Sequence, residues 1–580
     1  MATPLQSASI AAPGFYGLNT QESGITLESG FALQAQNCVI DKYGRLGARK
    51  GWSYLAESAG VNLKGMHRFV DVTGAEYFGC WSDDSFYIVQ GNTLVSVTYT
   101  GAQTITEGNW QAVTLSDAAY LFQAGYEPLY FDTITGEVKD ISDSPSASGT
   151  PIEGNTALSA YGRIWVANTA LNKTTLYWTD LLDGSRWNSG TSGSLDLSSI
   201  LVYGNDEIIG LGAHNGFLIV FCKQNIVIFG DTDGSNQYLD PSTLQLVEVI
   251  SGVGCIARDS IQNTGVDILF LSESGVRSLG RVIQEKSQPM RDISRNIRDD
   301  LVQLLESELP NNIKSCYSES NAFYLLAFPT TRQVYCFDMR APLQDGASRV
   351  TLWTNLDHTE WLGFDGEVYM TNADGLARYA GYQDNGSRYR MIYFTNFFDM
   401  GNPAQTKILK RLAITVIGAT GQDFVVKSGF NYSDVYNSYA LSLTQATSSQ
   451  YNITEYGLTT NTEALTQAND TVTDPDGNHY TVDFVLDNLL TPEYNATFLV
   501  WLDDDGYYYT TDDGTRTRQT LYVKPVDFGG EYAGGTTVET IRVSGSGAGS
   551  VLQLGFEAEL DGGALSIQKM DIYVKQGRII

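Results

Sequence analysis

Pairs of short apolar runs recur along the chain from about residue 76 to residue 379. In each pair, four to seven apolar, β-branched or aromatic residues are followed by a turn rich in Gly, Asn, Asp or Ser, and then by a second such run. This pattern predicts a β-hairpin, because branched and aromatic residues favour strands and small polar residues favour tight turns. Clear examples are RIWVAN with TLYWTD, GFLIVF with NIVIFGD, and NAFYLLAFP with QVYCFDM.

The hairpin units are regularly spaced, 40 to 54 residues apart. They start near residues 76, 119, 163, 216, 267, 321 and 361. A four-stranded propeller blade takes roughly 40–50 residues. The spacing therefore predicts an all-β fold with a β-propeller of six or seven blades over residues 61–392, in which radial closure leaves few exposed sheet edges.

One segment has helical rather than strand periodicity. An isolated amphipathic helix is predicted near residues 294–309, with Ser294 as the N-cap and Pro310 as the end. Its apolar stripe consists of Ile293, Ile297, Leu301, Leu304, Leu305 and Leu309. We expect this helix to cover one face of the sheets, and binding of a partner is the alternative.

The two ends of the chain differ from the hairpin units. Residues 1–60 are predicted to form an N-terminal arm or platform segment, and the Ser- and Ala-rich residues 1–12 within it a flexible tail. Longer apolar strands after residue 393 and again near the C-terminus predict a β-sandwich platform domain made of residues 393–445 and 531–580. Residues 446–530 hold 14 acidic and three basic residues, so we expect an acidic β module inserted in the sandwich. A hairpin is predicted within it over Tyr507–Val523, turning at Asp513–Gly514.

The charge balance narrows the range of functions. The chain has 36 Lys plus Arg and 66 Asp plus Glu, for a formal net charge of -30. This excess of acid argues against wrapping nucleic acid by phosphate neutralisation and against docking on anionic membranes. The six cysteines form no C-x-x-C pair, so they are expected to be buried and reduced. The pattern predicts no signal peptide and no membrane span.

Known catalytic and metal-binding patterns are missing from the sequence. Its four histidines have no HExxH spacing, and there is no G-x-S-x-G elbow and no P-loop. We therefore predict no catalytic residues, no metal site and no cofactor. TDLLDGSRWN approximates the Asp-box of sialidase-type propellers through Asp183, Gly184 and Trp187, with irregular spacing and in one copy. A glycan-binding propeller or a glycosidase acting on surface polysaccharide is thus the alternative function.

Four cations lie within nine residues near the N-terminus of this acidic chain: Lys42, Arg45, Arg49 and Lys50. Ordinary ion pairs with neighbouring acidic groups are the expected role, and contact with phosphate is the alternative.

The order of several motifs resembles the tail nozzle proteins of short-tailed bacteriophages, the tail tubular protein B type. The resemblance covers a large part of the chain and leaves out the acidic insert. It is carried by Gly17-Leu18-Asn19-Thr20, by Asn37, Asp41, Gly44-Arg45-Leu46 and Arg49-x-Gly51, and by RIWVAN, LYWTD, EIIGLGAHNGFLIVF, VGCIARDS, DILFLSESGVRSL, DISRNI and DIYVKQGR.

This resemblance implies a structural virion protein, assembled in the host cytoplasm and without catalysis. Six copies would form a nozzle ring below the portal and its adaptor, line and gate the DNA ejection channel, and support tail fibres or a tip. Double-stranded DNA would pass without sequence-specific binding. In such a ring, Lys42, Arg45, Arg49 and Lys50 are expected to face neighbouring subunits or the adaptor.

Overall fold

The computed structural model of the protein describes residues 5–71, 73–201, 206–231, 239–280, 293–418, 423–442 and 538–579, together with five short strands between residues 471 and 523. The chain divides into two compact units. One comprises Met1–Ile414, Phe424–Ala440 and Arg542–Ile580, and the other comprises Thr415–Asp423 and Leu441–Ile541.

Six strands precede the repeating hairpins. They are β1 (Leu5–Ala11), β2 (Gly17–Leu18), β3 (Phe31–Gln36), β4 (Cys38–Ile40), β5 (Leu46–Ala48) and β6 (Trp52–Glu57). The prediction of a flexible tail is wrong for residues 5–11. The backbone of β1 pairs along its whole length with Lys569–Lys575, and Ile10 is buried, so long-range pairing overrides the local Ser- and Ala-rich composition.

Four antiparallel sheets follow, each built from four consecutive strands. The first two sheets are β7 (Gly65–Val70), β8 (Glu76–Trp81), β9 (Phe86–Gln90), β10 (Thr93–Val97), and β11 (Gln111–Leu115), β12 (Ala118–Phe122), β13 (Leu129–Asp132), β14 (Glu137–Asp140). The next two are β15 (Gly154–Ala160), β16 (Arg163–Thr169), β17 (Thr175–Trp178), β18 (Gly193–Asp196), and β19 (Ile208–His214), β20 (Phe217–Cys222), β21 (Asn225–Asp231), β22 (Leu244–Ser251).

Three more sheets complete the series. The fifth has three strands in the described part of the chain: β23 (Gln262–Asn263), β24 (Ile268–Ser272) and β25 (Gly275–Ser278). The sixth contains β26 (Lys314–Ser318), β27 (Phe323–Phe328), β28 (Gln333–Asp338) and β29 (Arg349–Thr354). The seventh contains β30 (Glu360–Phe364), β31 (Glu367–Asn372) and β32 (Gly375–Tyr379), with β6 as its outermost strand.

These sheets form a closed β-propeller. The inner strands of neighbouring sheets lie side by side, with the turn Arg258–Ser260 joining the fourth to the fifth, and β30 contacts β7. The predicted fold class is therefore confirmed, with six four-stranded blades and one three-stranded sheet among the described residues. Strand β6 lies within the segment 1–60 assigned to an arm, so the ring is closed by pairing of an N-terminal strand with the last blade.

Apolar layers between adjacent blades form the propeller core. Trp165 and Phe229 belong to the layer between the third and fourth blades, and Phe221 and Phe270 to the next one. The ring centroids of Phe221 and Phe270 are 5.1 Å apart. Strands β20, β21 and β27 are buried along nearly their whole length, so they read as continuous apolar runs rather than as alternating patterns.

The predicted helix is present and shorter than expected. A 3-10 turn spans Arg295–Ile297, and α1 spans Arg298–Ser307. Ser294 flanks the 3-10 turn but makes no capping bond, because its Oγ accepts the backbone N–H of Val276 at 2.9 Å. Pro310 begins a second 3-10 turn, Pro310–Asn312.

The C-terminal strands build two large sheets with the N-terminal strands. These strands are β33 (Tyr389–Thr395), β34 (Gln405–Gly418), β35 (Asp423–Phe430), β36 (Tyr436–Ser442), and, after the insert, β42 (Val538–Ser544), β43 (Ala548–Gly549), β44 (Leu552–Leu560) and β45 (Leu565–Ile579). One sheet has the order β4-β5-β45-β34-β42, with β1 added on β45 and β43 on β34. This sheet and the ten-stranded sheet described next contain the C-terminal strands that were predicted to form a sandwich.

The second large sheet is continuous with the propeller. Its ten strands run in the order β26-β27-β28-β29-β2-β3-β33-β44-β35-β36. The sixth blade therefore extends through the short parallel strand β2 into the C-terminal strands. Gly17 makes this junction possible, because its φ is +83° and a Cβ there would lie 2.4 Å from the carbonyl oxygen of Val350.

Five short strands are described in the region of the insert. They are β37 (Thr471–Thr473), β38 (His479–Thr481), β39 (Phe484–Val485), β40 (Asn495–Val500) and β41 (Arg518–Val523). Strand β41 pairs with β40. The predicted turn at Asp513–Gly514 lies outside the described residues, so the hairpin over Tyr507–Val523 stays a prediction.

Candidate functional site

Charged side chains meet where the inner strands converge on the propeller axis. Arg258 and Asp259 lie in the turn before β23, Lys314 begins β26, and Glu360 begins β30. Asn109 precedes β11. The inner strands of a closed ring run in the same direction, so their first residues lie at the same end of the ring. Residues far apart in sequence therefore come together there.

The four charges form one connected network. The guanidinium of Arg258 donates from Nε to Asp259 Oδ1 at 2.7 Å and from Nη2 to Oδ2 at 2.8 Å. Lys314 Nζ lies 2.6 Å from Asp259 Oδ2 and 3.0 Å from Glu360 Oε2. Arg258 and Lys314 also donate to Asn109 Oδ1. Two cations thus face two carboxylates, and their formal charges cancel.

The network shifts the pKa of its members in opposite directions. Burial alone would raise the pKa of Asp259, but the charges of Arg258 and Lys314 hold it below its ordinary value. For Glu360, burial raises the pKa in spite of Lys314. Burial works against protonated Lys314, yet Asp259 and Glu360 raise its pKa. Asp259 is therefore the carboxylate on which both cations depend.

A cavity of about 590 Å³ lies beside this network, and we call it the mouth cavity. Arg258 and Asn155 line it together with Glu207, Lys223, Glu273 and, from the segment of α1 and its C-terminal extension, Val302, Leu305 and Leu309. A second cavity of about 620 Å³, the helix groove, lies between α1 and the strands β28 and β29.

Two of the four predicted cations are buried and paired within the chain. Arg45 forms a salt bridge with Asp41, 2.6 Å from Nε to Oδ2. Arg49 is 1% exposed. Its Nη1 donates to Asp384 Oδ1 at 2.8 Å and its Nη2 to Asp384 Oδ2 at 2.7 Å. Its Nε donates to Asn37 Oδ1 at 3.0 Å, and its guanidinium lies over the Tyr389 ring. Ordinary ion pairing, the expected role, describes these two arginines.

The other two candidates, Lys42 and Lys50, are exposed. Lys42 stands beside Tyr43 in the β4–β5 turn, with Nζ 5.0 Å from the ring centroid. Of the four candidates, these two side chains therefore have ammonium groups available for another molecule.

We call the contacts of Asn37 and Arg49 the clasp. Asn37 Nδ2 donates to the Arg390 carbonyl at 2.8 Å, while its Oδ1 accepts from the Thr354 N–H at 2.9 Å. Together with the Arg49–Asp384 pair, these bonds tie the N-terminal segment to the chain on both sides of the last blade. The clasp explains why the motif combines an Asn and an Arg at this spacing.

Two histidines and all six cysteines lie in apolar surroundings, and His358 is 1% exposed. His67 Nε2 lies 2.7 Å from Thr114 Oγ1, and burial lowers the pKa of His67 to about 4. Burial, with a smaller effect of Arg49, lowers the pKa of His358 to about 3. All six cysteines are buried and unpaired, in agreement with the prediction. Within the described residues, no group of three or more His, Cys, Asp and Glu could hold a metal ion.

The approximate Asp-box forms a turn of the third blade. Asp183 Oδ1 accepts from the Ser185 N–H at 3.0 Å and from Ser146 Oγ at 3.2 Å, and Trp187 packs in the apolar layer between blades two and three. The carboxylate is thus used to shape the turn. No described helix is long and apolar enough to cross a membrane.

The sequence did not single out the axial residues. Lys314 in IKSCYS and Arg258 and Asp259 in IARDS are charges at the start of otherwise small or apolar strands, and this mismatch is the signal that could have marked them. Their partners could not be assigned, because the ring geometry alone brings them together.

The closed ring of blades and the long sheets define the class: this is a β-propeller protein with a β-sandwich built from both chain ends. The family model described as bacteriophage P22 Gp10, beta-propeller, matches residues 51–372, more than half of the chain. The chain belongs to this family and is a structural protein of a phage tail.

The other comparisons carry no argument about this chain. No curated protein matches the chain in sequence. The solved structures include a crystal structure of the WD40 beta propeller domain of Doa1, which is 9% identical, with 57% of this chain and 96% of that chain covered and a TM-score of 0.33.

Proposed function

We propose that the chain is the nozzle protein of a short phage tail. Six copies form a ring below the portal and its adaptor, line and gate the DNA ejection channel, and support tail fibres or a tip. Membership in the P22 Gp10 propeller family carries this proposal, and the order of motifs shared with tail nozzle proteins supports it. A structural family also favours a role without catalysis.

The charged cluster where the inner strands begin suits a channel formed between copies. The cluster of Arg258, Asp259, Lys314 and Glu360 occupies the centre of the ring of blades. A DNA duplex passing along the tail axis would therefore run outside each propeller, between neighbouring copies.

The charge of the chain also suits passage of DNA. A basic bore would hold the duplex by many counterion-releasing contacts, whereas an acidic or polar bore leaves it free to slide. With -30 per copy, we expect the bore to be acidic or polar. Lys42 and Lys50, being exposed, would then face the neighbouring subunit or the adaptor.

Imaging of the intact particle tests the assignment. The chain would carry a C-terminal affinity tag, be located by gold labelling of purified virions, and be counted per particle by quantitative mass spectrometry. We expect the label on the tail below the neck and six copies per particle. A label on the head or fibres, or a count other than six, contradicts the nozzle role. Cleavage of host surface polysaccharide by the purified chain would support the glycosidase alternative instead.

A further inference from the structure

Helix α1 is anchored through its N-terminal half. Ile297 and Leu301 are fully buried, and Thr20 donates from its backbone N–H to the Asn296 carbonyl at 2.9 Å and from Oγ1 to Asp300 Oδ2 at 2.8 Å. These contacts fix the start of α1 against the N-terminal segment. The other end is fixed by buried Glu308, just after the helix, whose carboxylate accepts from the Thr330 N–H at 3.0 Å and from Thr330 Oγ1 at 2.7 Å.

The apolar side chains on the C-terminal half of α1 are incompletely covered by the described residues. Val302, Leu304 and Leu305 are half-buried, and Leu309, just after the helix, is 69% exposed. The mouth cavity lies along Val302, Leu305 and Leu309, and the helix groove lies along Leu304. The sequence predicted that this stripe covers a sheet, and the structure leaves half of it facing two cavities.

The surroundings of this half of α1 are acidic. Glu306 lines both cavities, Glu273 lines the mouth cavity, and Asp300 lines the helix groove. Among the residues that the structure describes, no Lys or Arg lines the helix groove, and no basic residue lies in the last turn of α1. The partial negative charge of the helix C-terminus adds to these carboxylates. Two cations line the mouth cavity: Arg258, which is already paired with Asp259, and the exposed Lys223.

We propose that this surface docks a basic amphipathic segment of a different protein. Its aliphatic side chains would pack on Val302, Leu305 and Leu309, and its Lys or Arg side chains would meet Glu273, Glu306 and the carbonyl end of α1. An amphipathic helix lying in an apolar groove is a common mode of peptide recognition. A second copy of this chain is a poor occupant, because a chain with a net charge of -30 meets like charge here.

Synthetic peptides test the proposal with the purified full-length chain. The probe is a fluorescent peptide of about four helical turns, with Leu at helical spacing and Lys elsewhere. Two matched peptides serve as controls: one has Glu in place of each Lys, and one has the same Leu and Lys residues in scrambled order. Fluorescence anisotropy gives the affinity of each. We expect the amphipathic basic peptide to bind and both controls to bind at least about tenfold more weakly.

Two substitutions locate the binding. Leu309→Ser removes an exposed side chain and Glu306→Lys reverses an exposed charge, so neither should alter the unfolding midpoint. Each substitution should weaken binding of the basic peptide by at least about tenfold. Glu319→Lys is the control: it makes the same change in net charge at an exposed residue just after the end of β26. The affinity of this variant for the basic peptide should equal that of the unchanged chain.

Several results would overturn the proposal. Equal binding of the scrambled or the acidic peptide would mean that the surface has no amphipathic preference. Affinity that Leu309→Ser and Glu306→Lys leave intact would mean that the peptide binds elsewhere. Self-association of the chain in analytical ultracentrifugation, abolished by Leu309→Ser, would make a second copy the occupant.

Discussion

The propeller and the two large sheets are held together in different ways. Apart from the seventh blade, which β6 completes, the propeller blades pair strands that follow one another along the chain. The large sheets instead pair the two chain ends, as where Leu5 meets Lys575. Each region also has its own buried ionic centre. The axial network joins four charges from three places in the ring: the turn Arg258–Ser260 and the starts of β26 and β30. The clasp relies on one guanidinium with several acceptors.

This difference shows where the chain is vulnerable. The strands of most blades pair locally, but the ring must also bury the four charges of the axial network together. The long sheets need the N-terminal segment to return to a partner hundreds of residues away. Substitutions at the two ionic centres should therefore give separable failures, one of the ring and one of the chain ends.

The largest effect is expected for Asp259→Ala. Both Arg258 and Lys314 would lose their shared carboxylate while staying buried, and removal of one partner from a buried ion pair costs about 3–5 kcal/mol. Because two cations are affected, we expect about 5 kcal/mol, measured by denaturant unfolding followed by tryptophan fluorescence. The control is Glu76→Ala, which removes the exposed partner of Arg68 and should cost under about 1 kcal/mol. Equal losses in the two variants would mean that the axial charges do not stabilise the ring.

Arg49→Ala should have the second largest effect, about 3 kcal/mol. It leaves Asp384 without a counterion and Asn37 Oδ1 without one of its donors. Here the loss should be local, so limited proteolysis should cut the N-terminal segment faster while the blades stay resistant. Lys50→Ala is the matched control, since it removes the adjacent exposed cation. Uniform loss of resistance along the chain would show that the clasp is not specific to the chain ends.

The third prediction concerns acid and the region beside the clasp. His358 packs against Trp52 and Trp361, and the pKa of its ring is about 3 in the folded chain against about 6.5 when unfolded. Below pH 6.5 the unfolded chain takes up the proton and the folded chain does not, so stability falls as the pH falls toward 3. Between pH 7 and pH 5 this group alone costs about 2 kcal/mol.

His358→Phe should remove that part of the acid sensitivity. Unfolding of both chains at pH 7 and pH 5 gives the comparison, and the variant should lose about 2 kcal/mol less. The same loss in both chains would mean that other groups account for it.

The smallest effect is expected from deletion of residues 446–530. Strand β36 before the insert already contacts the turn after β42, because Tyr439 OH accepts the Ser546 N–H at 2.9 Å and Asn437 Nδ2 donates to the Ser546 carbonyl. Since loop length changes closure entropy slowly, a short linker should leave stability within about 1 kcal/mol. Differential scanning calorimetry checks this, and loss of the transition of the rest of the chain would disprove the predicted boundary.

Much of the propeller could be predicted because its strands pair locally. Six of the seven predicted unit starts fall within two residues of the second strand of a blade, from β8 at Glu76 to β27 at Phe323. The inner strands were missed because the crowded ring centre favours small and polar residues. At Gly210 in β19, for example, a Cβ would lie 2.3 Å from Ile261 Cδ1.

The large sheets and the axial site depend on partners that no local pattern indicates. Strand β1 has an unremarkable Ser- and Ala-rich composition, and its pairing with β45 follows from the fold of the whole chain. Likewise, charges at residues 258, 259, 314 and 360 become a network only after ring closure brings the inner strands together.

The ten-stranded sheet also has a mechanical consequence. In this sheet, which begins with β26 and ends with β36, each strand is hydrogen-bonded to its neighbours. A force on the C-terminal strands is therefore transmitted through β33, β3 and β2 to the sixth blade. When the force acts along the strands, many hydrogen bonds between neighbouring strands share it, so the sheet deforms little. The propeller and these strands should therefore tilt as a single lever under load. Any opening under pressure would then need deformation outside this sheet.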